Sequence, residues 1–431
     1  MNWLKRIFDK NGSGAENVDV VSESTTNSTE AQQKEEIKPE EGGSAPNATV
    51  STSDHTESDK QSTTQTKDRG NNKKEAHKEE ETNDSLMVHH LIVLDESGSM
   101  MPVRRQTVAG CNETIQTVRK MQQMNPTQQH FVSIYLFQTG ASRYIIKDAP
   151  IAEVRDLLPK DYRPSACTPL FDAIGYTITE LKEKLADNVA AYVTIITDGY
   201  ENDSRRYDLQ MVKSLISEMK ERKVIFSFIG ANIDSSKYAQ QMGIGNSLQF
   251  SADEEGTKEM WEREARAKMR SSSRMAFSQK FDSIDRRERF YKDENMGNYY
   301  NENIDPRRVT PRQITSLRPN EIFVFGSNIE GKHDGGAARY ALEHFGAVYS
   351  QAEGHQGQSY AIPTVGVDEQ EMYNAVQRFI EYAHKRSDLT FLVTPIGCGN
   401  AGLSPYMVAP MFRDAIGMRN VKLPQEFWNF L

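Results

Sequence analysis

Apolar and polar positions along residues 87–255 predict a regular succession of strands and helices. Short apolar runs bounded by polar residues indicate buried strands, and longer segments with apolar residues three or four positions apart indicate amphipathic helices. Strands that alternate with helices predict a parallel sheet covered on both faces. The predicted strands are 90–95, 130–137, 143–147, 190–197 and 223–229. The predicted helices are 103–124, 151–158, 169–186, 207–221 and 235–242.

The pattern continues beyond this first unit. Residues 253–292 are rich in Glu, Lys, Arg, Met and Ala and predict helix, whereas residues 293–308 predict an irregular linker. A second α/β unit begins near Thr310 with an apolar strand at 321–328. We therefore expect an α/β protein with a doubly wound, mostly parallel, Rossmann-like sheet and a second, three-layer α/β domain. The predicted boundaries are 87–255 for the first domain, 256–308 for a helical connector and linker, and 309–431 for the second domain.

Three segments of the first unit place oxygen-bearing side chains where predicted strands end. Asp95, Ser97 and Ser99 stand in the run Leu-Ile-Val-Leu-Asp-Glu-Ser-Gly-Ser. Thr168 precedes a proline and is expected to cap the next helix, and Asp198 follows another apolar strand. Ligands of parallel sheets bind beyond the carboxyl ends of strands, and carboxylates with hydroxyls suit a hard divalent cation. The alternative is that the serines only cap a helix and Asp198 only forms an Asx-turn.

This ordered set resembles the von Willebrand factor type A (vWA) domain and its metal-ion-dependent adhesion site. The resemblance implies a bound Mg²⁺, Mn²⁺ or Ca²⁺ that Ser97, Ser99 and Thr168 ligate directly. It implies that Asp95 and Asp198 complete the coordination shell, directly or through water. It also implies a protein partner whose Asp or Glu donates a carboxylate to the metal.

Two acidic residues lie close in sequence to these positions. Glu96 and Glu201 either tune the site or face solvent, and we expect solvent. No His or Cys stands beside the motif to act as a general base. The site is therefore better suited to binding than to hydrolysis.

The second unit carries two glycine-rich loops after apolar strands. The first loop brings Gly335 and Gly336 to the start of a helix, and the second follows the strand that begins at Phe391. Consecutive glycines at a helix start expose backbone N–H groups and the positive end of the helix dipole, which suits phosphate oxygens. Two such loops suit a diphosphate held between them. The alternative is that the glycines only permit tight turns.

These loops resemble those of macrodomains, which bind ADP-ribose and related nucleotides, and most closely a divergent macro-like group of bacterial and phage proteins. The resemblance implies that Asn328 contacts the distal ribose. The implied phosphate-facing residues are Gly335, Gly336, Gly397, Cys398, Gly399, Asn400 and Gly402. Two places depart from the family: Phe325 stands where the family has an earlier loop Asn, and residues 311–317 contain no Asp that would select adenine.

Two functions follow from these features. The first is a cytoplasmic adaptor that couples metal-dependent binding of a protein partner to binding of an ADP-ribose-like nucleotide. The second is a hydrolase of ADP-ribose derivatives or ADP-ribosylated protein, in which Asn328, Asp334 or His355 positions a water molecule. We favour binding, because the glycine loops match the resembled family better than the catalytic residues do.

Composition adds an acidic N-terminal segment to this picture. Residues 11–85 hold 17 of the 61 acidic residues and 8 of the 52 basic ones, so the rest of the chain holds 44 of each. Because residues 11–85 contain no aromatic and few aliphatic residues, we expect a disordered Ser/Thr-rich linker over 11–86. The remainder has no basic excess that would favour nucleic-acid binding.

The first ten residues differ from this linker. Trp3, Leu4, Ile7 and Phe8 fall on one helical face, which predicts a docking peptide over 1–10 for a partner groove or a membrane surface. The alternative is a frayed start without a role. No run approaches the ~18 apolar residues of a membrane helix. The three cysteines show no metal-ligand spacing, and with no export signal they indicate a reducing cytoplasm.

Overall fold

A computed structural model describes residues 85–231, 233–302 and 304–431. The predicted docking peptide of residues 1–10, and all but the last two residues of the predicted linker, lie outside the described residues. Within the described part, two mostly parallel sheets and ten α-helices form a mixed α/β protein, which confirms the predicted fold class. None of the described helices is long and apolar enough to cross a membrane.

The first sheet has six strands in the order β3-β2-β1-β4-β5-β6, and only the β2–β3 pair is antiparallel. Its central strands are buried almost along their whole length, because helices cover both faces. The strands are β1 (Met87–Asp95), β2 (Gln129–Phe137), β3 (Arg143–Pro150), β4 (Val189–Thr197), β5 (Val224–Ala231) and β6 (Ser247–Phe250). The helices between them are α1 (Arg104–Met124), α2 (Leu170–Lys182), α3 (Leu209–Lys220) and α4 (Ser235–Gln241).

The central strands β1 and β4 lie side by side, and the chain leaves them in opposite directions. From β1 it passes through α1 to β2, and from β4 it passes through α3 to β5. Diverging connections of this kind open a crevice beyond the carboxyl ends of the two strands. Asp95 is the last residue of β1, and Asp198 follows directly after β4.

The helix predicted over residues 151–158 is absent, so that prediction was wrong. Ile151, Val154 and Leu157 are buried, so their helix-like spacing reflects the packing of an irregular segment. Asn112 of α1 donates its side-chain amide to the Leu157 carbonyl (3.1 Å) and accepts a hydrogen bond from the Leu157 N–H (2.6 Å). These two bonds satisfy backbone groups that a helix would have paired internally.

A 28-residue helix, α5 (Glu254–Phe281), packs on the sheet face that α1 covers. Its Trp261 lies against Gly110 of α1, where an added Cβ atom would come 2.2 Å from the indole ring. Tyr300 donates a hydrogen bond to the buried carboxylate of Glu264 (2.6 Å). Residues 293–308 were predicted to form an irregular linker, and Tyr300 anchors this segment against α5. The next helix is α6 (Ile284–Asp293).

The C-terminal half of α5 also contacts the second unit. The Ser273 hydroxyl donates to the backbone carbonyl of Tyr406 (2.5 Å), and the Ser272 and Tyr406 hydroxyls lie 3.0 Å apart. Asp282, which caps the end of α5, accepts a hydrogen bond from Arg413 (2.6 Å). Helix α5 therefore packs against both units. The predicted domain boundaries stay predictions.

The second sheet has five strands in the order β11-β10-β7-β9-β8, and only the β8–β9 pair is antiparallel. Phe323 and Phe325 of β7 pack on one face, and Ile322 and Val324 pack on the other. The strands are β7 (Glu321–Asn328), β8 (Gly354–Gln356), β9 (Ser359–Val365), β10 (Thr390–Val393) and β11 (Val421–Lys422). The helices are α7 (Gly336–His344), α8 (Glu369–Lys385), α9 (Pro405–Val408) and α10 (Gln425–Trp428).

The second sheet repeats the diverging connections of the first. Neighbouring strands β7 and β10 are parallel, and the chain runs from β7 towards β9 on one side and from β10 towards β11 on the other. A crevice therefore opens beyond the carboxyl ends of β7 and β10. Both glycine loops start at this edge, and an added Cβ atom on Gly326 would lie 3.5 Å from the Gly397 nitrogen.

Candidate functional site

The crevice of the first sheet gathers oxygen atoms from separate segments. The Ser97 N–H donates to one carboxylate oxygen of Asp95 (2.7 Å), and the Ser97 and Ser99 hydroxyls lie 3.1 Å apart. Ser99 in turn donates to Asp198 (2.6 Å), which joins the ends of β1 and β4. Thr197, which the sequence reasoning missed, donates its hydroxyl to the second oxygen of Asp95 (2.6 Å).

Thr168 belongs to the same group through its backbone. Its N–H donates to the Asn202 side chain (2.8 Å), and the Asn202 N–H donates back to the Thr168 carbonyl (3.2 Å). An added Cβ atom on Gly199 would lie 3.8 Å from the Thr168 hydroxyl, so this hydroxyl stands beside the residue that follows Asp198. The N-cap of α2 is Pro169, so the prediction that Thr168 caps this helix was wrong.

The electrostatics of this group favour a cation. Burial raises the pKa of Asp95 to about 6, against hydrogen bonds from Thr197 and Ser97 that lower it. Burial also raises the pKa of Asp198. The nearby arginines Arg143 and Arg205 form their ion pairs with Glu96 and Asp203, so neither balances the charge of Asp95 or Asp198.

The donor set fits a hard divalent cation, which prefers carboxylate and hydroxyl oxygens. Asp95, Ser97, Thr168 and Asp198 are buried, whereas Ser99 is exposed, so the group opens to solvent on one side. In the described part of the chain, no three His, Cys, Asp or Glu side chains form a metal-binding group. The candidate centre therefore depends on hydroxyls as well as carboxylates.

Glu96 does not face solvent, so that prediction was wrong. Its carboxylate is fully buried and accepts hydrogen bonds from Arg143 (2.5 and 3.1 Å), from Gln138 (2.9 Å) and from the Arg163 N–H (2.5 Å). Its carbonyl accepts from the Ser165 N–H (2.8 Å). Glu96 thereby fixes the segment that leads to Thr168 against the end of β1. The partners of its carboxylate lie 42 to 67 residues away in sequence, so no local signal identified them.

Glu201 also has a structural role that the sequence did not indicate. Its carboxylate accepts hydrogen bonds from the N–H groups of Phe171 (2.8 Å), Asp203 (2.8 Å) and Ser204 (2.6 Å). The first of these donors lies at the start of α2, where helical N–H groups lack internal partners. Glu201 therefore ties the loop after Asp198 to the helix after Thr168.

The crevice of the second sheet borders a cleft with a cavity volume of about 900 Å³. Gly336 and Tyr340 of α7 line one wall, and Thr394 and Pro395 at the end of β10 line another. Residues 309–315 and 424–426, which the sequence reasoning did not assign to a site, also line the cleft. The cleft thus lies between the starts of the two glycine loops.

The glycines of the two loops fall into two classes. Gly336, Gly397 and Gly402 have φ angles of +57°, +73° and +70°, which favour glycine for conformational reasons alone. Gly335 and Gly399 have no such angle, and an added Cβ atom on either would meet nothing within 4 Å. A positive φ angle therefore does not explain the glycines at positions 335 and 399, and both lie beside open space.

The remaining predicted residues of the second loop are accessible. Asn400 is exposed, and Cys398 is partly buried. Burial, together with the Glu426 carboxylate, raises the pKa of the Cys398 thiol to about 12. Cys398 therefore stays a neutral thiol near neutral pH, which suits packing and excludes a thiolate nucleophile.

The three residues predicted to position water are not brought together. The Asn328 side-chain oxygen accepts a hydrogen bond from the Lys332 N–H (2.7 Å), and Asp334 accepts one from the Tyr349 hydroxyl (3.3 Å). His355 lies on edge strand β8 and pairs with Tyr360 near the amino end of β9, which is the opposite edge of the sheet from the glycine loops. The position of His355 therefore does not support a shared catalytic site.

No protein-family model and no curated protein matches the chain. Part of the chain is similar to solved structures, among them the PilB minor pilin of Streptococcus sanguinis (12% identity, 42% of this chain, 61% of the pilin, TM-score 0.30). A second is the SpRpn10 VWA domain (12% identity, 41% of this chain, 93% of that domain, TM-score 0.31). A third is the vWF domain of the pilus tip protein Mfa5 of Porphyromonas gingivalis (8% identity, 41% of this chain, 95% of that domain, TM-score 0.32). The chain thus spans less than two thirds of the pilin.

Proposed function

We propose that the first unit binds a divalent cation, Mg²⁺ in the first instance, and through it a carboxylate of a protein partner. One observation carries the proposal: Asp95, Ser97, Ser99, Thr168 and Asp198 gather at the crevice between β1 and β4. The buried carboxyls of Asp95 and Asp198 supply negative charge, and exposed Ser99 leaves a side open to a partner.

The chemistry of the donors favours binding of an outside acid. Hydroxyl ligands from Ser97, Ser99 and Thr168 add no charge, so a bound cation keeps strong Lewis acidity towards a carboxylate from another molecule. Thr197 and the Ser97 N–H hold both oxygens of Asp95, which orients that carboxylate. Glu96 and Glu201 fix the loops on either side. We infer an interaction protein, and its cytoplasmic location stays a prediction.

The test is calorimetric titration of Mg²⁺, Mn²⁺ and Ca²⁺ into the full chain and its variants. Ser99→Ala and Asp198→Ala should each abolish the binding heat, because each removes a donor from the group. Ser214→Ala is the matched control, since Ser214 lies on α3 and donates only to the Gln210 carbonyl in its own helix (2.9 Å). Equal heats for all four proteins would refute the metal centre.

A second experiment tests the carboxylate partner. A random peptide library is selected on the immobilised chain in Mg²⁺ and eluted with chelator. We expect enrichment of Asp or Glu, and replacing that residue by Asn or Gln in a selected peptide should abolish capture. Peptides whose capture ignores both the chelator and the acidic residue would contradict the proposal.

We further propose that the second unit binds a nucleoside diphosphate of the ADP-ribose type. The observation that favours this function is the open space at Gly335 and Gly399, on two loops that start at the same sheet edge beside the cleft. Backbone N–H groups at the start of α7 supply donors and the positive helix end for phosphate oxygens. We propose binding rather than hydrolysis, because His355 lies at the far edge of the sheet.

The glycine substitutions make this proposal testable without unfolding the chain. Gly335→Ala and Gly399→Ala should preserve folding, because neither Cβ atom meets a neighbour, and should weaken ADP-ribose binding by filling the cradle. Gly417→Ala is the matched control, since its Cβ atom also meets nothing within 4 Å and Gly417 belongs to neither glycine loop. Calorimetry with ADP-ribose, ADP and NAD measures the effect. Unchanged affinity in both variants would remove the cradle as the site.

A further inference from the structure

His333 is a buried polar side chain in the first glycine loop, and the sequence reasoning did not single it out. Its side chain is 1% exposed, and neither ring nitrogen has a hydrogen-bond partner within residues 85–431 as described. An imidazole carries at least one N–H donor in every common protonation state. Burying an unpaired donor costs folding free energy, so a partner from outside the chain would recover that cost.

The neighbours of His333 are aromatic. Its ring centroid lies 5.1 Å from that of Phe325 in an edge arrangement, and 6.5 Å from that of Tyr349. Aromatic faces are weak acceptors and do not replace a hydrogen bond. Tyr349 is 48% exposed and donates its hydroxyl to Asp334, so this ring forms a cover between His333 and solvent.

The cover is held by close contact between two loops. The Ser350 N–H donates to the Gly331 carbonyl (2.9 Å), and an added Cβ atom on Gly331 would lie 2.5 Å from the Gln351 nitrogen. Ser350 itself has a φ of +69°, a conformation that is unfavourable for a residue other than glycine. Tyr349 therefore stands at the end of a tight, strained turn above the loop that carries His333.

We propose that His333 donates a hydrogen bond to a phosphate oxygen of the nucleoside diphosphate bound at the first glycine loop, after the Tyr349 ring moves aside. This inference rests on the proposed nucleotide binding by the second unit. His333 lies two residues before Gly335, a chain distance of at most about 7 Å. A phosphate at the N–H groups of Gly335 and Gly336 would therefore lie close to His333, and we propose that it meets the imidazole once the Tyr349 ring has moved.

The test compares His333→Phe and His333→Gln in the full chain. Phenylalanine fills the same buried space without a polar group, so the thermal midpoint should stay equal or rise while the affinity for ADP-ribose falls at least tenfold. Glutamine retains an N–H donor and should recover part of the affinity. An imidazole with a purely structural role would give the reverse pattern, a lower midpoint with unchanged affinity, and that result would overturn the inference.

A second variant tests the cover independently. In Tyr349→Ala, His333 should react faster with diethyl pyrocarbonate than in the wild type, and ADP-ribose should protect it. Failure of the wild-type chain to bind ADP-ribose or pyrophosphate would overturn the proposed nucleotide binding and this inference with it. Wild-type binding with equal affinity in His333→Phe would overturn the inference alone.

Discussion

The two sheets of this protein have the same kind of crevice but border it with different chemistry. In each sheet, two central parallel strands send the chain in opposite directions, which opens space beyond their carboxyl ends. The first crevice holds Asp95, Asp198 and hydroxyl groups, whereas two glycine-rich loops begin at the second. Strand order thus decides where a ligand can bind, and the residues after each strand decide which ligand chemistry the crevice suits.

The two crevices also differ in how they are held. Side chains hold the first, because Glu96 is buried among Arg143, Gln138 and the Arg163 N–H. Backbone conformation holds the second, where Gly336 and other loop glycines adopt positive φ angles. Substitutions of polar side chains should therefore act mainly on the first crevice, and substitutions that add a Cβ atom should act mainly on the second.

The largest expected effect concerns the packing of α5 on the first sheet. Trp261→Ala should lower the free energy of unfolding by about 3–5 kcal/mol, because it empties the buried space above Gly110. Urea denaturation measures the change. Met296→Ala is the control, since Met296 is 74% exposed and should change stability by less than about 0.5 kcal/mol. A small cost for Trp261→Ala would mean that α5 is a detachable connector.

A buried histidine pair should make the first sheet sensitive to acid. His90 and His130 lie 3.0 Å apart between ring nitrogens. Burial lowers the pKa of His130 to about 4. The pKa of His90 is also lowered, mainly by burial and then by the charges of Lys268, His130 and His89. Because unfolded histidine titrates near 6.5, the unfolded chain binds protons that the folded chain does not as the pH falls below that value.

The sign of the effect follows from this difference. The stability that depends on neutral buried histidines is fully present above pH ~6.5. As the pH falls from 6.5 to 4, His130 alone should lower the free energy of unfolding by about 3 kcal/mol. His130→Phe should flatten the pH dependence of the unfolding free energy, whereas His355→Phe should flatten it less, because His355 is exposed and burial lowers its pKa only moderately. Parallel pH curves for wild type and His130→Phe would show that His130 titrates normally in the folded protein.

Much of this fold could be predicted from sequence because alternating strands and helices restrict the topology. The pattern also indicated that Asp95 and Asp198 would lie at the same sheet edge, since both follow buried parallel strands. Segment 151–158 misled the prediction, because its apolar spacing matches a helix while Asn112 binds its backbone. The spacing of apolar residues in a sequence indicates which residues are buried. It does not determine whether a helix or an irregular segment carries them.

The residues that sequence reasoning missed depend on distant partners. The sequence around Glu96 is typical of a surface residue, but in the fold Arg143 of β3 forms an ion pair with its carboxylate. Tyr300 lies in a stretch typical of a linker, yet its hydroxyl reaches Glu264. His333 is inconspicuous in sequence, and only burial without a partner distinguishes it. Each case requires knowledge of which segments meet in space, which local patterns do not contain.

A smaller effect tests whether the two sheets unfold together. Asp282→Asn should lower the free energy of unfolding by about 1.5–3 kcal/mol, because it weakens hydrogen bonds between charged groups that join α5 to Arg413. Asp187→Asn, at an exposed loop position, is the control. Calorimetry should show one transition in the wild type. Two separate transitions in the wild type would mean that α5 does not couple the sheets.

The smallest expected effect separates the two classes of glycine. Gly336→Ala should cost about 1 kcal/mol, because alanine at a φ of +57° is strained, whereas Gly335→Ala should change stability by less than about 0.5 kcal/mol. Chemical denaturation of both variants measures the pair. Equal costs would indicate that both glycines serve the turn. If Gly335→Ala leaves stability unchanged but abolishes ADP-ribose binding, the absence of a side chain at this position serves the ligand. A crevice built from backbone groups would then differ in this way from one built from carboxylates and hydroxyls.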